Sequence, residues 1–466
     1  MSSTARPQIL VGDKLVDFPE LLPGDRAIAI GALSELIVIS AEARRAVSEA
    51  VANAQRAFVQ LSKIDDVAVT AFFREFAARL DDASIYGEIA RANASDVEAA
   101  KARGRHIGRL VLSEKMRRAM IDGLRGWAAS PTRIGEIVER RSGEGFSIER
   151  RRAPLGVIAF VFEGRPNVFA DAAGVLRNKN AAVLRIGSDA LGTAMAIEER
   201  ALRPALERAA LPVGALTLIR NAEHGAAQAL FCETDVRLAV ARGSGRTVTL
   251  LGAIAKQHGI PVSLHGTGGA WMLVEASASP ELVTNAVTNS LDRKVCNTLN
   301  VLMLERRAVD ALGGVLARAL EARGAKVHVC RGSEGVVAAT AEAIDEAALA
   351  TEWEWDDAPE LSFLLVDDLN HAATLMNRHS PKFVASILSG RPLAFEQFYA
   401  AVEAPYVSNA FTRWVDGQWA WDRPELGLTN WETGRLLGRS GFLSGDDITT
   451  IRDVFLDHTG RGQFRR

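Results

Sequence analysis

The sequence predicts an α/β protein with two parallel-sheet domains, because short apolar runs alternate with helix-like stretches between residues 156 and 388. Runs that are apolar throughout are typical of strands covered by helices on both faces. The first series comprises GVIAFVF (156–162), AAVLRI (181–186), ALTLI (215–219) and VRLAV (236–240). The second comprises WMLV (271–274), NVLML (300–304), KVHVC (326–330), LSFLLV (361–366) and VASIL (384–388).

The segments before and after these runs have other patterns. From about residue 40 to residue 130, apolar residues recur every three to four positions, which predicts amphipathic helices. Residues 134–152 contain two alternating stretches around Ser142–Gly145, which predicts a hairpin of exposed strands. Residues 408–431 hold four of the eight tryptophans in a polar stretch without helical periodicity. We expect this tryptophan-rich segment to be a loop that covers a pocket or a partner.

Composition excludes several classes of protein. A length of 466 residues suggests two or three domains at about 150 residues each. The 55 Lys and Arg nearly balance the 57 Asp and Glu, so we expect neither a nucleic-acid nor a membrane partner. The N-terminus lacks a signal-peptide pattern, and no apolar run approaches the roughly 20 residues of a spanning helix. We therefore expect a soluble, cytoplasmic protein.

The three cysteines, Cys232, Cys296 and Cys330, form no CxxC pair, so neither a disulfide framework nor a cysteine-rich metal site is expected. Cys232 and Cys330 lie in apolar patterns that indicate packing. Cys296 stands between a helix-like stretch and an apolar run, which predicts a loop position. A lone cysteine is commonly a small buried hydrophobe, whereas the positive charge of Arg293 and Lys294 favours a nucleophilic thiolate. Local context leaves both interpretations open.

Polar residues follow the first apolar run at Glu163, Arg165 and Asn167. Open α/β sheets bind ligands at the carboxyl ends of their strands. Arg165 suits an anionic substrate, and the Asn167 amide suits a developing oxyanion. An ordinary loop charge before a proline explains Arg165 equally well.

Two glycine-containing turns are candidates for nucleotide binding, at Arg185–Ser188 and Arg242–Gly245. Neither matches GxGxxG or a P-loop, and isolated glycine turns are often only turns. His265 follows an apolar segment and is a candidate base, although a structural histidine is more usual.

Taken together and in order, these motifs resemble the gamma-glutamyl phosphate reductases, or glutamate-5-semialdehyde dehydrogenases, a branch of the aldehyde dehydrogenase superfamily. The resemblance extends from about residue 40 to the C-terminus. It rests on R-A-P-L-G-V-I (152–158), E-G-R-P-N (163–167), A-R-G-S-G (241–245), K-V-C-N-T (294–298) and N-A-F-T-R-W-V-D-G (409–417). The E-x-R-P-N and V-C-N motifs at this separation are fairly specific to that branch, whereas the glycine turns are not.

The resemblance implies an aldehyde dehydrogenase-like α/β fold with three parts. A Rossmann-type nucleotide-binding domain would comprise 1–133 and 153–264, and an α/β catalytic domain would comprise 265–404. A small β arm for oligomerisation and a C-terminal region would comprise 134–152 and 405–466, which implies a homo-oligomer.

The resemblance also implies a reaction, the reduction of an amino-acid acyl phosphate to a semialdehyde through a thioester on Cys296. Asn167 and the backbone N–H of Cys296 would hold the oxyanion. The cofactor would be NADPH, with NADH as an alternative. The cofactor-binding residues implied are Arg185, Gly187, Ser188, Gly243, Ser244, Gly245 and Glu425. The substrate-binding residues implied are Glu163, Arg165, His265, Asn297, Asn409, Thr412 and Arg413.

Several positions depart from the family pattern. Hydrolytic relatives carry a water-activating Glu in Glu-Leu-Gly-Gly, where this chain has Ser263–Gly266, so a phosphate-linked reaction is expected. Arg185–Asp189 replaces R-G-G-K-E and lacks the Lys that suits the 2′-phosphate of NADPH. Ala420–Glu425 replaces F-G-L-G-A-E, and the bulky Trp421 there would reshape a pocket. Gly268–Trp271 also differs from the family's Cys-His ending, so a substrate other than gamma-glutamyl phosphate is a hypothesis.

Two alternatives to this functional interpretation remain open. The first is an aldehyde dehydrogenase or thioester reductase that acts on another substrate through the same cysteine. The second is a non-catalytic homologue that binds a nucleotide or a partner, suggested by the altered cofactor loops. The family chemistry also implies an upstream amino-acid kinase as a supplier, in proline biosynthesis or in the synthesis of a modified amino acid.

Overall fold

The computed structural model describes residues 7–462, except His106, Arg109, Glu163, Arg165, Thr267, Ala339, Ala341, Thr433 and Gly434. The described chain divides into two compact units. The first unit takes the described residues of Met1–Gly266, Asp422–Gly427 and Leu443–Arg466. The second takes those of Thr267–Trp421 and Leu428–Phe442. The predicted change of domain at 264–265 lies close to the first of these boundaries, and the predicted C-terminal region 405–466 is shared between the units.

The centre of the first unit is a parallel sheet of five strands among the described residues. Their spatial order is Val262–His265, Val236–Arg242, Val157–Phe162, Ala181–Ile186 and Leu216–Leu218. Val157–Phe162 and Ala181–Ile186 are buried at every position. The carboxyl ends form one row, because His265 pairs with Arg242, Arg242 with Phe162, and Phe162 with Ile186.

Helices cover this sheet, and many of them begin at a side chain that caps their free N–H groups. Ser40 accepts from Ala43, and Asp65 accepts from Ala68, so both helices start where the sequence supplies an oxygen acceptor. The α-helices of the first unit are Ala41–Leu61, Asp66–Asp81, Ala83–Ala102, Glu114–Ala129, Val168–Ala173, Leu191–Ile197, Arg203–Arg208, His224–Leu230 and Gly245–Gln257, with the π-helical turn Glu198–Leu202.

Antiparallel pairs complete the first unit. The predicted hairpin is confirmed as Ile137–Gly143 with Phe146–Pro154, and Thr449–Asp457 pairs with its second strand. Two further hairpins precede the first helix, Gln8–Val11 with Lys14–Asp17 and Arg26–Ile30 with Glu35–Ile39.

The second unit is built on a parallel sheet with six strands in the described chain. Their order is Lys326–Val329, Glu360–Val366, Leu299–Glu305, Ala270–Val274, Val384–Leu388 and Tyr406–Ser408. Its helices are Pro280–Ser290, Gly314–Ala322, Leu369–His379, Ala394–Ala401 and Gly417–Ala420, with the π-helical turn Val309–Gly313. A small hairpin joins Trp431–Glu432 with Arg435–Leu436.

All nine predicted runs are strands, and their ends differ from the predicted ones by two residues or fewer. The edge strands Val262–His265 and Tyr406–Ser408 were not predicted, because four and three residues are too few for a periodic signal. Helices in the described chain fall short of the length and apolarity needed to cross a membrane.

Candidate functional site

The predicted cofactor residues of the first unit lie along the carboxyl edge of its five-stranded sheet. Gly187 and Gly243 each follow a strand directly. The Gly187 N–H donates to the Phe162 carbonyl at 3.0 Å, and the Gly243 N–H donates to the His265 carbonyl at 3.3 Å. These hydrogen bonds tie the start of each turn to the neighbouring strand, so four chain segments converge on one row.

Asn167 is half-buried and lies immediately before the helix Val168–Ala173. Its side chain does not cap that helix, and its buried Oδ1 accepts no hydrogen bond from the residues described. A buried amide oxygen without a hydrogen-bond partner is suited to a donor group on a ligand. Glu163 and Arg165 lie outside the described residues.

Arg185 is almost fully buried within its strand, and Nη2 donates to the carbonyls of Ala222 (3.2 Å) and Glu223 (3.1 Å). Its guanidinium therefore holds the loop that leads into the helix His224–Leu230. Contact between Arg185 and the adenosine end of a cofactor stays a prediction.

Ser188 begins a short turn, and the next residue, Asp189, makes an ion pair of 2.9 Å with Arg103. Arg103 follows the helix Ala83–Ala102 and is distant in the sequence. Sequence reasoning missed this partner, since no local pattern links the two positions. The end of the second strand of a Rossmann-type sheet is the place where the ribose 2′ position is read.

The turn Gly243–Gly245 leads into the helix Gly245–Gln257, whose N-cap is Ser244. A Cβ on Gly266 would come within 3.2 Å of the Gly245 Cα, so the two backbones lie close together. A helix N-terminus flanked by glycines provides N–H groups for a pyrophosphate, and these residues fit a dinucleotide cofactor on that ground.

Glu425 is bound to Arg242, the last residue of its strand. Arg242 Nη2 lies 2.8 Å from Glu425 Oε1, and Nη1 donates to the Glu425 carbonyl at 3.0 Å. Arg423, within the segment that departs from the family pattern, pairs with Asp446 at 2.6 Å. Two ion pairs thus anchor Arg423 and Glu425 in the first unit.

In the second unit, Cys296 lies on a loop between the helix Pro280–Ser290 and the strand Leu299–Glu305, as predicted. The Gly269 N–H donates to the Cys296 carbonyl at 2.7 Å. Thr298 closes the loop, because its Oγ1 accepts from the Val295 N–H at 2.9 Å. The residue that carries the thiol therefore has a defined backbone conformation.

Three of the predicted substrate-binding residues meet beside this loop. Thr412 Oγ1 donates to the Asn297 carbonyl at 2.8 Å. Arg413 is nearly buried and donates to Asp292 Oδ1 at 2.7 Å and to the Asn297 side-chain oxygen. These contacts engage the Arg413 guanidinium with protein groups, and its contact with substrate stays a prediction. Asn409 is exposed, and His265 ends a strand of the first unit.

The other two cysteines have the packing environment predicted for them. Burial raises the pKa of the Cys232 thiol to about 11. Burial also raises the pKa of Cys330, which lies in the core of the second unit. A protonated thiol is a poor nucleophile, so Cys296 is the favoured candidate.

The tryptophan-rich segment is partly exposed. Trp419 and Trp421 are 65% and 51% exposed, whereas Trp414 packs edge-on against Tyr406. Trp421 stacks on Phe442 within the second unit. Coverage of a pocket by this segment stays a prediction.

Residues 33–330 match the model of the family described as aldehyde dehydrogenase. The chain belongs to the aldehyde dehydrogenase family. Among curated relatives, a gamma-glutamyl phosphate reductase from Moorella thermoacetica is 31% identical over 392 residues, covering 81% of this chain and 89% of that protein. Another from Clostridium novyi is 29% identical over 388 residues, with the same coverage. The predicted resemblance to this branch of the aldehyde dehydrogenases is confirmed.

Solved structures confirm the predicted aldehyde dehydrogenase fold. A gamma-glutamyl phosphate reductase from Thermotoga maritima has a TM-score of 0.81 at 24% identity, and the match covers 90% of this chain and 100% of that one. An acetylating aldehyde dehydrogenase from Geobacillus thermoglucosidasius has a TM-score of 0.64 at 15% identity, with coverages of 91% and 98%. The aldehyde dehydrogenase family comprises oxidoreductases that use nicotinamide cofactors.

Proposed function

We propose that this chain reduces the acyl phosphate of an amino acid, gamma-glutamyl phosphate or a close relative, to the semialdehyde. The observation that carries the proposal is the Cys296 loop, in which the carbonyl of a half-buried cysteine accepts a hydrogen bond from the Gly269 N–H. Burial raises the pKa of the other two thiols, Cys232 and Cys330, and so disfavours their nucleophilic thiolate form. The relatives named gamma-glutamyl phosphate reductase support the choice of substrate class.

In this proposal, the Cys296 thiolate attacks the acyl carbon and forms a C–S bond. The tetrahedral intermediate collapses, the C–O bond to phosphate breaks, and inorganic phosphate leaves with the electron pair. When bound, a reduced nicotinamide would supply the hydride that adds to the carbonyl carbon of the Cys296 thioester. The resulting thiohemiacetal oxyanion expels the Cys296 thiolate and releases the aldehyde, so the cysteine is regenerated.

Two groups would stabilise the oxyanion, the Asn167 side-chain amide and the backbone N–H of Cys296. Nδ2 is the atom of this amide that can donate to an oxyanion, and the role is assigned to Asn167 from the E-G-R-P-N motif. The strand Val262–His265 and the following Gly266 carry no carboxylate that could activate water. A thioester that reacts with phosphate or hydride has no use for such a base.

The proposal includes NADPH as the preferred cofactor, with NADH as the alternative. The glycine turn before the helix Gly245–Gln257 supports a dinucleotide, and Glu425, held by Arg242, would lie at its nicotinamide ribose. Ser188 leaves the 2′-phosphate without the lysine that relatives supply, so the preference depends on the neighbouring charges.

A homo-oligomer and an upstream amino-acid kinase are further parts of the proposal. The three-stranded sheet of the arm exposes large apolar side chains, including Val138 and Phe455, at 50% and 51%. Exposed apolar residues on a sheet suit burial against another copy of the chain. A cytoplasmic location remains an expectation from the sequence.

The test runs the reaction in reverse, from glutamate 5-semialdehyde and NAD⁺ or NADP⁺, with and without inorganic phosphate. We expect phosphate-dependent reduction of the cofactor, and we expect Cys296→Ala to lose at least about a thousandfold in kcat. Cys232→Ala is the matched control and should keep its turnover. Full turnover by Cys296→Ala would refute the mechanism, whereas a requirement for coenzyme A instead of phosphate would identify a thioester reductase.

A further inference from the structure

A largely buried ion pair joins the Cys296 loop to the segment that carries Glu352. Lys294 Nζ is 2.9 Å from Glu352 Oε1, and the two side chains are 9% and 16% exposed. Moving two ions out of water has a large free-energy cost, so an ion pair shielded from water is weak evidence of stabilisation. The position of this pair, rather than its energy, is therefore its informative property.

The second oxygen of Glu352 has a different partner. The Gly268 N–H donates to Glu352 Oε2 at 2.6 Å. Gly269, the next residue, donates to the Cys296 carbonyl. A Cβ on Gly268 would lie 2.5 Å from the Cys296 carbonyl oxygen and 2.7 Å from its Cα, so the two backbones are in direct contact.

The segment that carries Glu352 is itself fixed. Asn300 Nδ2 donates to the Thr351 carbonyl at 2.8 Å, and the Trp353 N–H donates to Asn300 Oδ1 at 2.9 Å. Asn300 belongs to the strand that begins just after the Cys296 loop. Lys294, Glu352, Gly268, Gly269 and Cys296 thus form a closed ring of covalent and noncovalent links, anchored to the sheet of the second unit.

We propose that Glu352 is a positioning residue for Cys296. One carboxylate holds Lys294 on the thiol's own loop and the Gly268 N–H on the turn packed against it, so it sets the separation between loop and turn. Reaction rates depend steeply on the placement of the attacking atom. This inference rests on the proposed role of Cys296 as the nucleophile.

The first test is Glu352→Gln, which keeps the side chain's size and an acceptor for Gly268 but removes the ion pair. We expect kcat to fall by about 10- to 100-fold with KM changed less than about threefold, because the defect concerns the reacting group rather than substrate binding. Glu354→Gln is the matched control. Glu354 is 3.7 Å from the same Lys294 Nζ but 68% exposed, and this variant should retain its kcat.

The second test is Lys294→Met alone and combined with Glu352→Gln. Residues that act through one pair are not additive, so the double variant should lose about as much kcat as the more damaged single variant. Lys294→Met also carries the test if Glu352→Gln does not fold, because it removes the same pair and leaves the Gly268 contact.

Iodoacetamide labelling separates positioning from general loosening and needs no turnover. If Glu352 acts by positioning, Cys296 should be alkylated in Glu352→Gln. Cys330 in the core should stay protected in this variant, as it does in the protein without the substitution. Labelling of Cys330 together with loss of activity would indicate a disrupted core and overturn the proposal, as would unchanged kcat in both single variants. Full turnover by Cys296→Ala would instead remove the proposed function on which the inference rests.

Discussion

The two sheets carry their candidate residues at opposite edges. In the five-stranded sheet, Gly187 and Gly243 follow the carboxyl ends of strands. In the six-stranded sheet, Gly269 and Cys296 precede the amino ends of the strands Ala270–Val274 and Leu299–Glu305. The rule that open α/β sheets bind ligands at strand carboxyl ends therefore locates the residues of the first unit but not the cysteine of the second.

The difference has a physical basis. At the carboxyl edge, four of the five strands are followed by a helix, the exception being Val262–His265. The N–H groups at the start of such a helix favour an anion, as at Ser244. Cys296 instead comes after the carboxyl end of the helix Pro280–Ser290. Its surroundings depend on side chains, with the cations Lys294 and Arg413 paired to Glu352 and Asp292. The candidate residues of the first edge thus lie at backbone turns, whereas those around Cys296 lie in a network of charged side chains.

The largest expected effect is the slow alkylation of Cys232 in the first unit. Below about pH 9, Cys232 should react about 100-fold more slowly than an ordinary thiol, because its pKa of about 11 leaves little thiolate. The raised pKa also means that the protonated thiol stabilises the fold at neutral pH, and that this contribution is lost as pH rises from about 9 through 11. Mass spectrometry of alkylated peptides checks the reactivity, and denaturant unfolding between pH 7 and pH 11 checks the stability. Rapid labelling of Cys232 at pH 7 would contradict the first point, and a free energy of unfolding that does not fall above about pH 9 would contradict the second.

A pair of glycine substitutions compares the two edges directly. Gly268→Ala places a methyl group against the Cys296 backbone, so we expect kcat to fall about 30-fold or more. Gly266→Ala meets Gly245 at 3.2 Å and Val248 at 3.3 Å in the first unit, and it should mainly weaken cofactor binding. Steady-state kinetics and cofactor titration by fluorescence distinguish these outcomes, and equal effects of both variants on kcat would contradict the division.

Substitutions of Arg242 in the first unit and Arg413 in the second should have effects of intermediate size. Arg242→Met removes the support of Glu425, and we expect about a tenfold weaker affinity for the cofactor, since a partly buried carboxylate loses its partner. Arg413→Met releases Asn297 beside Cys296, so its effect should appear in kcat. The opposite result, with a lower kcat for Arg242→Met and a weaker cofactor affinity for Arg413→Met, would show that the two edges have the opposite roles.

The smallest expected effect is a change in the preference between NADPH and NADH when Asp189 is substituted. Asp189→Asn removes a negative charge at the end of the second strand and leaves Arg103 without its ion-pair partner. We expect affinity for NADPH to rise by about threefold relative to NADH, because a carboxylate repels the 2′-phosphate and an unpaired arginine attracts it. Dissociation constants of both cofactors measure the ratio, with Glu88→Gln at the exposed Arg200 pair as the control. An unchanged ratio would exclude Asp189 from this role.

The amino-acid pattern predicted the strands of the two sheets, the helical segment from about residue 40 to residue 130, the exposed hairpin and the loop position of Cys296. Each of these could be predicted because it leaves a local pattern in the sequence, such as an apolar run, helical periodicity or turn residues. The family motifs added the candidate residues in order, and the comparisons confirmed the family.

The partners of these residues become visible once the chain is folded. Glu352 reaches Lys294, and Arg103 reaches Asp189, across long stretches of chain that no periodicity connects. The edge strand Tyr406–Ser408 is likewise defined by its pairing with Val384–Leu388 rather than by its own pattern. Such a side-chain contact forms only between segments that the folded sheets bring together. Its free energy therefore depends on the strand order, which no local sequence pattern contains.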